Sequence, residues 1–412
     1  MEALFYQLLQ VAIGNRKTMA AVPSKEQWLE LFAIAKKHAL VAVAFAGVTK
    51  LNTASDYGSS LGIDEKIYLK WLGVVAMTQQ RNKEITAACS ELCKELAHDG
   101  LASCILKGQG NLEYYPEDLK DYRTPGDIDV WCTPIDPRGL DIAVSNGDGK
   151  SSHYEKYHGI EAVIEYSLMR ARIADVSKPE IRYNNTETHN IWSWDVEIHH
   201  RPSMMNSFIH NARIQQWCKD YAQFGAHSYN GFNVPTISFN VVYQLSHIYT
   251  HLFDEGIGLR QLLDYYFVLR VLHIEQSSLS DRTESMTPWT KVMGKTVRSN
   301  EEIMRTFSRF GMKKFAGATM YVLQSVFAMP NEYLICQPNE KEGRFLLNEI
   351  MQAGNFGKYD ERIKHGGTKM QHAWEKSKHN FRLLSHYPEE VLWEPFFRLY
   401  HWIWRKLELW RY

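Results

Sequence analysis

Two acidic residues, Asp127 and Asp129, stand on either side of Ile128 within a short apolar run of the sequence. Residues two apart on a β-strand point to the same face, so this run predicts two carboxylates side by side while Ile128 faces the core. Two carboxylates held that close repel each other unless a cation lies between them, and Mg²⁺ prefers such hard oxygen ligands. The pair therefore indicates a magnesium site, although a solvated acidic edge strand has the same pattern.

A glycine-containing turn precedes these acids. Lys107, Gly108 and Gln109 follow a short apolar run and lead into a predicted short helix. In a strand, turn and helix of this kind, backbone N–H groups can hold a phosphate group because they point at it from the start of the helix. Arg123, between the turn and the acids, could reach a phosphate oxygen or a nucleobase. These four residues indicate nucleotide binding, while a strand-end lysine such as Lys107 is also compatible with a structural role.

A third carboxylate is available from the alternating segment 192–200. Asp195 and Glu197 share one face of the predicted strand, so either of them could complete a metal site with the acid pair. His199 and His200 end the segment and could bind metal or substrate, but histidines at a strand end more often lie on the surface or make structural hydrogen bonds. The segment predicts a third acidic ligand and leaves open which acid supplies it.

The hydrophobic pattern divides the chain into three regions. Residues 1–100 repeat apolar positions at helical spacing, with a capping box at Ser24 and Gln27. Residues 101–203 contain short β-prone runs bounded by glycine. Residues 204–412 return to helical periodicity. The pattern predicts an α+β fold in which a small mixed sheet, carrying the acid pair, lies between an N-terminal and a C-terminal helical region, with domain boundaries at these limits.

Other segments are predicted to have structural roles. The polar stretch 144–159 predicts a loop and residues 275–289 a linker, while Asp264 is predicted to be a structural acid that ties helices together. The last predicted helix, 391–412, has an apolar stripe and is predicted to be a packed terminal helix, with a membrane surface as the alternative. The stripe consists of Leu392, Phe396, Leu399, Ile403 and Leu407.

Composition excludes several classes of protein. Lys plus Arg and Asp plus Glu both number 47, so the net charge of zero argues against a general nucleic-acid coat. The six cysteines form no CxxC pair and no four-ligand zinc pattern, which favours a reducing compartment, the cytoplasm. The N-terminus lacks the pattern of a signal peptide, and no segment approaches the run of about 18 apolar residues that predicts a membrane span.

These motifs together resemble a known family. Similarity to the uncharacterised nucleotidyltransferase family of the DNA polymerase β superfamily is carried by LKG, YYP, GDIDVW, VEIHH and VVYQLSHIYTHLFDEGIGLRQLLDYYFVL. The resemblance extends from about Ala33 to Met329 and is strongest over residues 105–132. The chain departs from the superfamily in its glycine turn, where Gly-Ser or Gly-Gly is more common, and in the long insert before the acid pair.

The resemblance implies a specific activity. Members of such a family carry two Mg²⁺ ions on a small mixed sheet and transfer a nucleotidyl group from an NTP, such as ATP, to a hydroxyl or phosphate acceptor. By position, Asp127 and Asp129 match the metal-binding pair, Glu197 matches the third carboxylate, and Lys107 with Gly108 matches the glycine turn. The acceptor, whether a small molecule, a protein or an RNA, is left open.

Two other classes of protein share parts of this pattern. A non-catalytic relative could keep the fold to bind a nucleotide or a partner protein, for example within a toxin–antitoxin pair, but the presence of all three acids disfavours it. A glycosyltransferase could use the DxD motif to hold a sugar nucleotide. It would need a nucleotide-binding α/β domain ahead of the acids, whereas about a hundred mostly helical residues precede them here.

Overall fold

The computed structural model describes residues 1–53, 61–145, 152–189, 191–221, 226–280, 297–362 and 369–411. These residues form helices at both ends of the chain and a five-stranded mixed sheet between them. The fold is therefore α+β, as the hydrophobic pattern predicts, and the strands of the sheet come from the predicted central region.

The N-terminal helices follow the predicted periodicity. They are α1 (Glu2–Ala12), α2 (Lys25–Lys37), α3 (Val41–Thr53) and α4 (Glu65–His98). The capping box of α2 is present, since the N–H of Gln27 donates to the Ser24 hydroxyl and the N–H of Ser24 donates to the Gln27 side chain. Gly100, with a φ of 88°, follows α4 and lets the chain turn into the first strand.

The strands form one main sheet and two hairpins. They are β1 (Leu101–Ile105), β2 (Ile128–Pro134), β3 (Leu140–Ser145), β4 (Ser152–Tyr157), β5 (Glu180–Ile181), β6 (Asn185–Thr188), β7 (Val196–His199), β8 (Ala226–Tyr229) and β9 (Phe232–Pro235). The main sheet has the order β1-β2-β7-β6-β5, in which β2 and β7 are parallel and the other neighbours antiparallel. β3 pairs with β4, and β8 pairs with β9.

β2 is an inner strand that is buried on both faces. Ile128 and Val130 belong to a core that also contains Leu92 of α4 and Ile198 of β7. On the opposite face Asp129 is only 1% exposed. Because β2 lies between β1 and β7, a solvated acidic edge strand does not explain its carboxylate.

The remaining helices agree with the predicted return to helical periodicity after residue 203, which the β8–β9 hairpin interrupts at residues 226–235. They are α5 (Gly159–Ile173), α6 (Phe208–Tyr221), α7 (Ile237–Asp254), α8 (Leu259–Ser280), Asn300–Arg309, Lys313–Phe327, Glu340–Ala353, Lys369–Leu384 and Pro388–Arg411. Among the helices of the described residues, none combines the length and the hydropathy needed to cross a membrane.

Two sequence predictions need correction. The polar stretch 144–159 is not a continuous loop, because residues 152–157 form β4, which pairs with β3. Strand pairing uses backbone hydrogen bonds, so a polar sequence does not prevent it. Residues 146–151 lie outside the described residues. The predicted linker 275–289 begins inside α8, and its residues 281–289 lie outside the described residues.

The chain forms two compact units, each built from three segments. Unit 1 consists of Met1–Asn82, Tyr114–Thr124 and Asn240–Leu392 and is mainly helical. Unit 2 consists of Lys83–Glu113, Pro125–Phe239 and Trp393–Tyr412 and contains the main sheet. The domain boundaries predicted after residues 100 and 203 stay predictions, since compactness alone does not define a folding domain.

The last helix packs against the protein, as predicted, but it does so through residues outside its apolar stripe. We call Pro388–Arg411 the terminal helix. Its Phe397 is 4% exposed and stacks edge-on against Tyr183 with ring centroids 5.1 Å apart. The stripe residues point elsewhere, and Leu399 and Ile403 are 56% and 43% exposed. The helix is apolar on two sides, so its spacing could not tell which side meets the protein.

Candidate active site

Strand pairing brings the predicted acids together. β2 and β7 are parallel, and their register sets Asp129 opposite Glu197 and Trp131 opposite His199. The pairing begins where the N–H of Ile128 donates to the Asp195 carbonyl at 3.0 Å. Because paired residues share a face of the sheet, and residues two apart on a strand do too, Asp129, Glu197 and His199 lie on one face.

Asp129 is the most enclosed of the predicted acids. Its Oδ1 lies 2.9 Å from Nζ of Lys107 and 2.9 Å from Nε2 of His199. Lys107 follows β1, and the N–H of the preceding Leu106 donates to the Asp129 carbonyl at 2.9 Å. The same backbone pairing therefore holds the turn and the acid, and two donor groups compensate one buried carboxylate.

Glu197 and His199 complete a polar cluster. Nε2 of His199 lies 3.4 Å from Oε2 of Glu197, and Nδ2 of Asn185 donates to the same oxygen at 2.6 Å. Burial favours the neutral imidazole, but the hydrogen bonds to Asp129 and Glu197 outweigh it and raise the pKa of His199 to about 9. Burial also raises the pKa of Glu197, yet the hydrogen bond to His199 and the charge of Lys107 together hold that pKa well below its usual range.

The proton on Nε2 of His199 is the one that matters for the cluster. The two carboxylates favour an imidazolium, whereas buried Nδ1 has no hydrogen-bond partner among the described residues, which disfavours a second N–H. Nε2 carries a proton both in the imidazolium and in the neutral ring that lacks a proton on Nδ1, and in both forms it donates this proton towards Asp129. A metal ion bound at Nε2 would have to displace that proton.

Asp127 differs from Asp129 in its environment. It directly precedes β2, and its side chain is exposed to solvent. The charge of Asp129 and, to a smaller extent, desolvation raise the pKa of Asp127 to about 7. Because the side chain is open to solvent, we take repulsion by Asp129 as the main cause. The cations among the described residues therefore leave some negative charge uncompensated beside Asp129.

The predicted glycine turn follows β1 and opens a short 3₁₀ helix, Gly108–Tyr114. Gly108 has a φ of 59°, in the left-handed region that favours glycine, and a Cβ there would lie 3.5 Å from the Asp127 carbonyl oxygen. Gln109 is buried, and its Nε2 donates to Oγ1 of Thr86 at 3.0 Å. The turn thus runs beside the backbone of the acid pair, and its role in phosphate binding stays a prediction.

Arg123 belongs to unit 1 and is engaged there. Its Nε and Nη2 donate to the two carboxylate oxygens of Asp264, both at 2.8 Å, and the hydroxyl of Tyr115 donates to Oδ1 at 2.7 Å. Both partners of this ion pair are buried. Asp264 therefore ties α8 to residues 114–124, as predicted, whereas a nucleotide contact by Arg123 stays a prediction.

Three residues of the cluster could hold a metal ion. Asp129, Glu197 and His199 each offer one ligand atom, and these atoms lie within 4.8 Å of one another. Asp127 lies outside this group, and Asp195, with a side chain 77% exposed, faces His189 instead. The two carboxylates suit Mg²⁺ or Mn²⁺, and the uncompensated charge at Asp127 favours a further cation.

Comparison with known proteins agrees with this chemistry. The family model described as an uncharacterised nucleotidyltransferase matches residues 24–287. The chain belongs to this family. The matched segment contains the glycine turn, the acid pair and β7, and it starts before Ala33 and ends before Met329, the limits expected from the motifs. No curated protein and no solved structure matches the chain significantly, so the family supplies the general reaction class and nothing names an acceptor.

Sequence reasoning underrated two members of the cluster. His199 is two residues after Glu197 on an alternating strand, so the rule that paired Asp127 with Asp129 also predicts a shared face for these two. Its burial, at 2% exposed, was not visible in the strand-end position. Asn185 gave no signal, because its contact with Glu197 depends on the antiparallel pairing of β6 with β7.

Proposed function

We propose that the protein is a divalent-metal-dependent nucleotidyltransferase that moves a nucleotidyl group from an NTP to an acceptor hydroxyl or phosphate. The observation that carries this proposal is the pair of carboxylates, Asp129 and Glu197, in register on parallel strands with His199 between them. Membership of the family supports the reaction class.

In the proposed reaction, an acceptor oxygen attacks the α-phosphorus in line with the leaving group. A P–O bond to the acceptor forms, the bond to pyrophosphate breaks, and the acceptor loses its proton when it is a hydroxyl. When bound, Mg²⁺ supplies charge neutralisation for the triphosphate and the leaving pyrophosphate. The protein's own contribution is mainly positioning and fixed charge, as in phosphoryl transfer generally.

Each residue of the cluster has a proposed role. Asp127, Asp129 and Glu197 hold the metal ions, two in number as in the superfamily that the sequence resembles. Lys107, whose side chain is 17% exposed, releases Asp129 and neutralises a phosphate oxygen when the nucleotide binds. His199 is not assigned as a metal ligand, because an imidazole is a poorer ligand than oxygen for Mg²⁺. Its Nε2 instead orients Asp129 through their hydrogen bond.

Gly108 and Gln109 shape the nucleotide side of the proposed site. Gly108 has no side chain, so its backbone can take the left-handed conformation and can approach an incoming phosphate closely. Gln109 is held by its hydrogen bond to Thr86 and supports the turn rather than contacting the nucleotide directly.

Location in the cytoplasm remains our expectation from cysteine usage.

A non-catalytic relative is the second candidate, and it makes a different prediction. It would bind an NTP without releasing pyrophosphate. The uncompensated charge at Asp127 favours catalysis, because a site kept only for binding has no need of a third acid that raises the energy of the metal-free protein. A DxD glycosyltransferase is disfavoured by the family match over the whole site.

Transfer of label from [α-³²P]NTPs tests the proposal. Each of the four NTPs is incubated with Mg²⁺, the protein and small-molecule, protein or RNA fractions of a cell extract. We expect metal-dependent labelling of one fraction, and a loss of about 1,000-fold or more for Asp129→Asn, since this change removes a metal-facing charge. The control Asp195→Asn should keep full activity. NTP binding without release of pyrophosphate in any fraction would favour the non-catalytic relative.

A further inference from the structure

The terminal helix exposes a continuous apolar stripe that is separate from its packed face. Within unit 2, the exposed side chains include Phe396 at 60%, Leu399 at 56%, Ile403 at 43% and Leu407 at 66%. Their spacing of three and four residues sets them along one side of the helix. The stripe extends over about three turns of helix, so it forms a continuous apolar surface rather than a set of isolated exposed residues.

The stripe is exposed although the helix itself is well anchored. Phe397 packs against Tyr183 and Phe208, with ring centroids 5.1 Å and 6.0 Å apart, and Trp404 lies 5.9 Å from Tyr183. Nε of Arg182 and the guanidinium of Arg405 both approach Glu180, at 3.7 Å each. The open side therefore results from the direction in which the helix packs, and the described residues leave the stripe uncovered.

Over the span of the stripe the charged residues of the helix are all basic, while Glu394 and Glu408 lie just outside this span. From Pro395 to Leu407 the sequence contains no Asp or Glu, whereas Arg398, Arg405 and Lys406 are basic. Arg398 and Lys406 lie four residues before and after Trp402, so the three form a row of basic, aromatic and basic side chains along one flank. Arg398 also pairs with Glu394, a buried acid on the same helix.

This combination fits one kind of occupant. Over the span of the stripe, a second copy of the helix would bring basic groups near basic groups, and the neighbouring acid Glu394 is buried and already paired with Arg398. An anionic lipid surface would instead accept the apolar stripe below the headgroups, with Trp402 at the interface and Arg398 and Lys406 against the headgroup charges. We propose that the terminal helix binds the surface of anionic membranes and so holds the protein there.

Sedimentation of the full chain with vesicles tests this proposal. The probes are vesicles of phosphatidylcholine alone and of phosphatidylcholine mixed with phosphatidylserine. We expect binding to the anionic vesicles, and a loss of about tenfold or more for Leu399→Gln/Ile403→Gln, because two apolar side chains of the stripe no longer insert. The matched control Ile135→Gln/Ile173→Gln changes two apolar residues of unit 2 that are 57% and 68% exposed, and it should bind as wild type does.

Two further measurements separate this proposal from its competitors. Arg398→Gln/Lys406→Gln should remove most of the preference for anionic over neutral vesicles, and added salt should weaken wild-type binding because the attraction is electrostatic. Wild-type protein that stays in solution with both kinds of vesicle would overturn the proposal. So would a wild-type dimer in light scattering that Leu399→Gln/Ile403→Gln converts to a monomer, because a second copy would then be the occupant.

Discussion

Asp264 and Asp129 are both buried aspartates that accept hydrogen bonds from cationic side chains, but their surroundings differ. Asp264 in unit 1 receives both arms of one guanidinium and one hydroxyl, with Arg123 and Tyr115 as donors. Asp129 in unit 2 shares a single oxygen between Lys107 and His199 and has two other acids near it. The first carboxylate is matched one to one, whereas the second belongs to a group with surplus negative charge.

The difference separates a structural ion pair from a binding site. A matched, buried pair is already neutral and gains nothing from a further ion. A cluster of carboxylates with too few cations raises the energy of the protein until a cation or a proton arrives, and functional sites are where such arrangements persist. The raised pKa of Asp127 is the sign of that mismatch. The predictions below test whether the matched pair and the cluster with surplus charge respond as this difference requires.

The largest effect on stability should follow from breaking the matched pair. Asp264→Asn leaves the buried Arg123 guanidinium without a counter-charge, so we expect the free energy of unfolding to fall by about 3–5 kcal/mol. Asp129→Asn should cost less than about 1 kcal/mol, because Glu197 remains near both Lys107 and His199. Urea unfolding of the two variants, without added metal, measures the contrast.

A double variant provides the control for this prediction. Arg123→Met/Asp264→Leu removes both charges and should be more stable than Asp264→Asn, because no unpaired charge is left buried. Its affinity for NTPs also tests the predicted contact of Arg123. A folded double variant that binds NTP as tightly as wild type would assign Arg123 to structure alone, while equal losses of stability for Asp264→Asn and Asp129→Asn would remove the distinction between the regions.

A smaller effect should appear in the pH dependence of stability. The pKa of Asp127 rises from 3.8 to about 7 on folding, so between these values the folded state holds more protons and stability falls as the pH rises. Asp127→Asn removes this loss. Without metal, the variant should gain on wild type through that range and stay about 1–2 kcal/mol more stable above it, after allowance for the exposed side chain.

Unfolding curves at several pH values, with and without Mg²⁺, measure this prediction. Bound metal compensates the acids, so the advantage of Asp127→Asn should shrink or reverse as Mg²⁺ is added. Asp195→Asn is the matched control, since that acid lies outside the cluster, and it should follow wild type at every pH. A constant difference between Asp127→Asn and wild type across the pH range would mean that repulsion within the cluster is absent.

The smallest effect is expected at the glycine turn. Gly108→Ala adds a methyl group where φ is 59°, so we expect a strain cost of about 1 kcal/mol and a several-fold weaker affinity for Mg²⁺–NTP. Gly159→Ala is the matched control, because Gly159 has a φ of 51° and open space around it. It should lose similar stability and keep NTP affinity. Equal affinities in calorimetry would give the Gly108 turn a structural role only.

Local features of this structure were predictable from the sequence. Three such features depend only on residues a few positions apart: the capping box at Ser24, the turn at Gly100, and the strand face that Glu197 shares with His199. Such features follow from the geometry of single helices and strands. The α+β fold and the acidic character of the site were predictable for the same reason.

Long-range pairing was not predictable in the same way. The register that sets Asp129 opposite Glu197 joins strands that are far apart in the sequence, and a shift by one residue would put the two carboxylates on opposite faces of the sheet. The partner of Arg123 is likewise distant, on α8. For the terminal helix, spacing identified which residues share a side but not whether that side meets protein, lipid or water.

The most direct test of the central claim is the metal dependence of NTP binding. Thermal unfolding is measured for wild type and Asp129→Asn with each NTP, in the presence of Mg²⁺ or of EDTA. We predict that one or more NTPs raise the wild-type melting temperature only when Mg²⁺ is present, because at about 100 times its Kd a ligand adds about 2.7 kcal/mol to stability. Asp129→Asn should show no such rise. An equal rise in EDTA, or the same rise in Asp129→Asn, would contradict a metal–nucleotide site at these carboxylates.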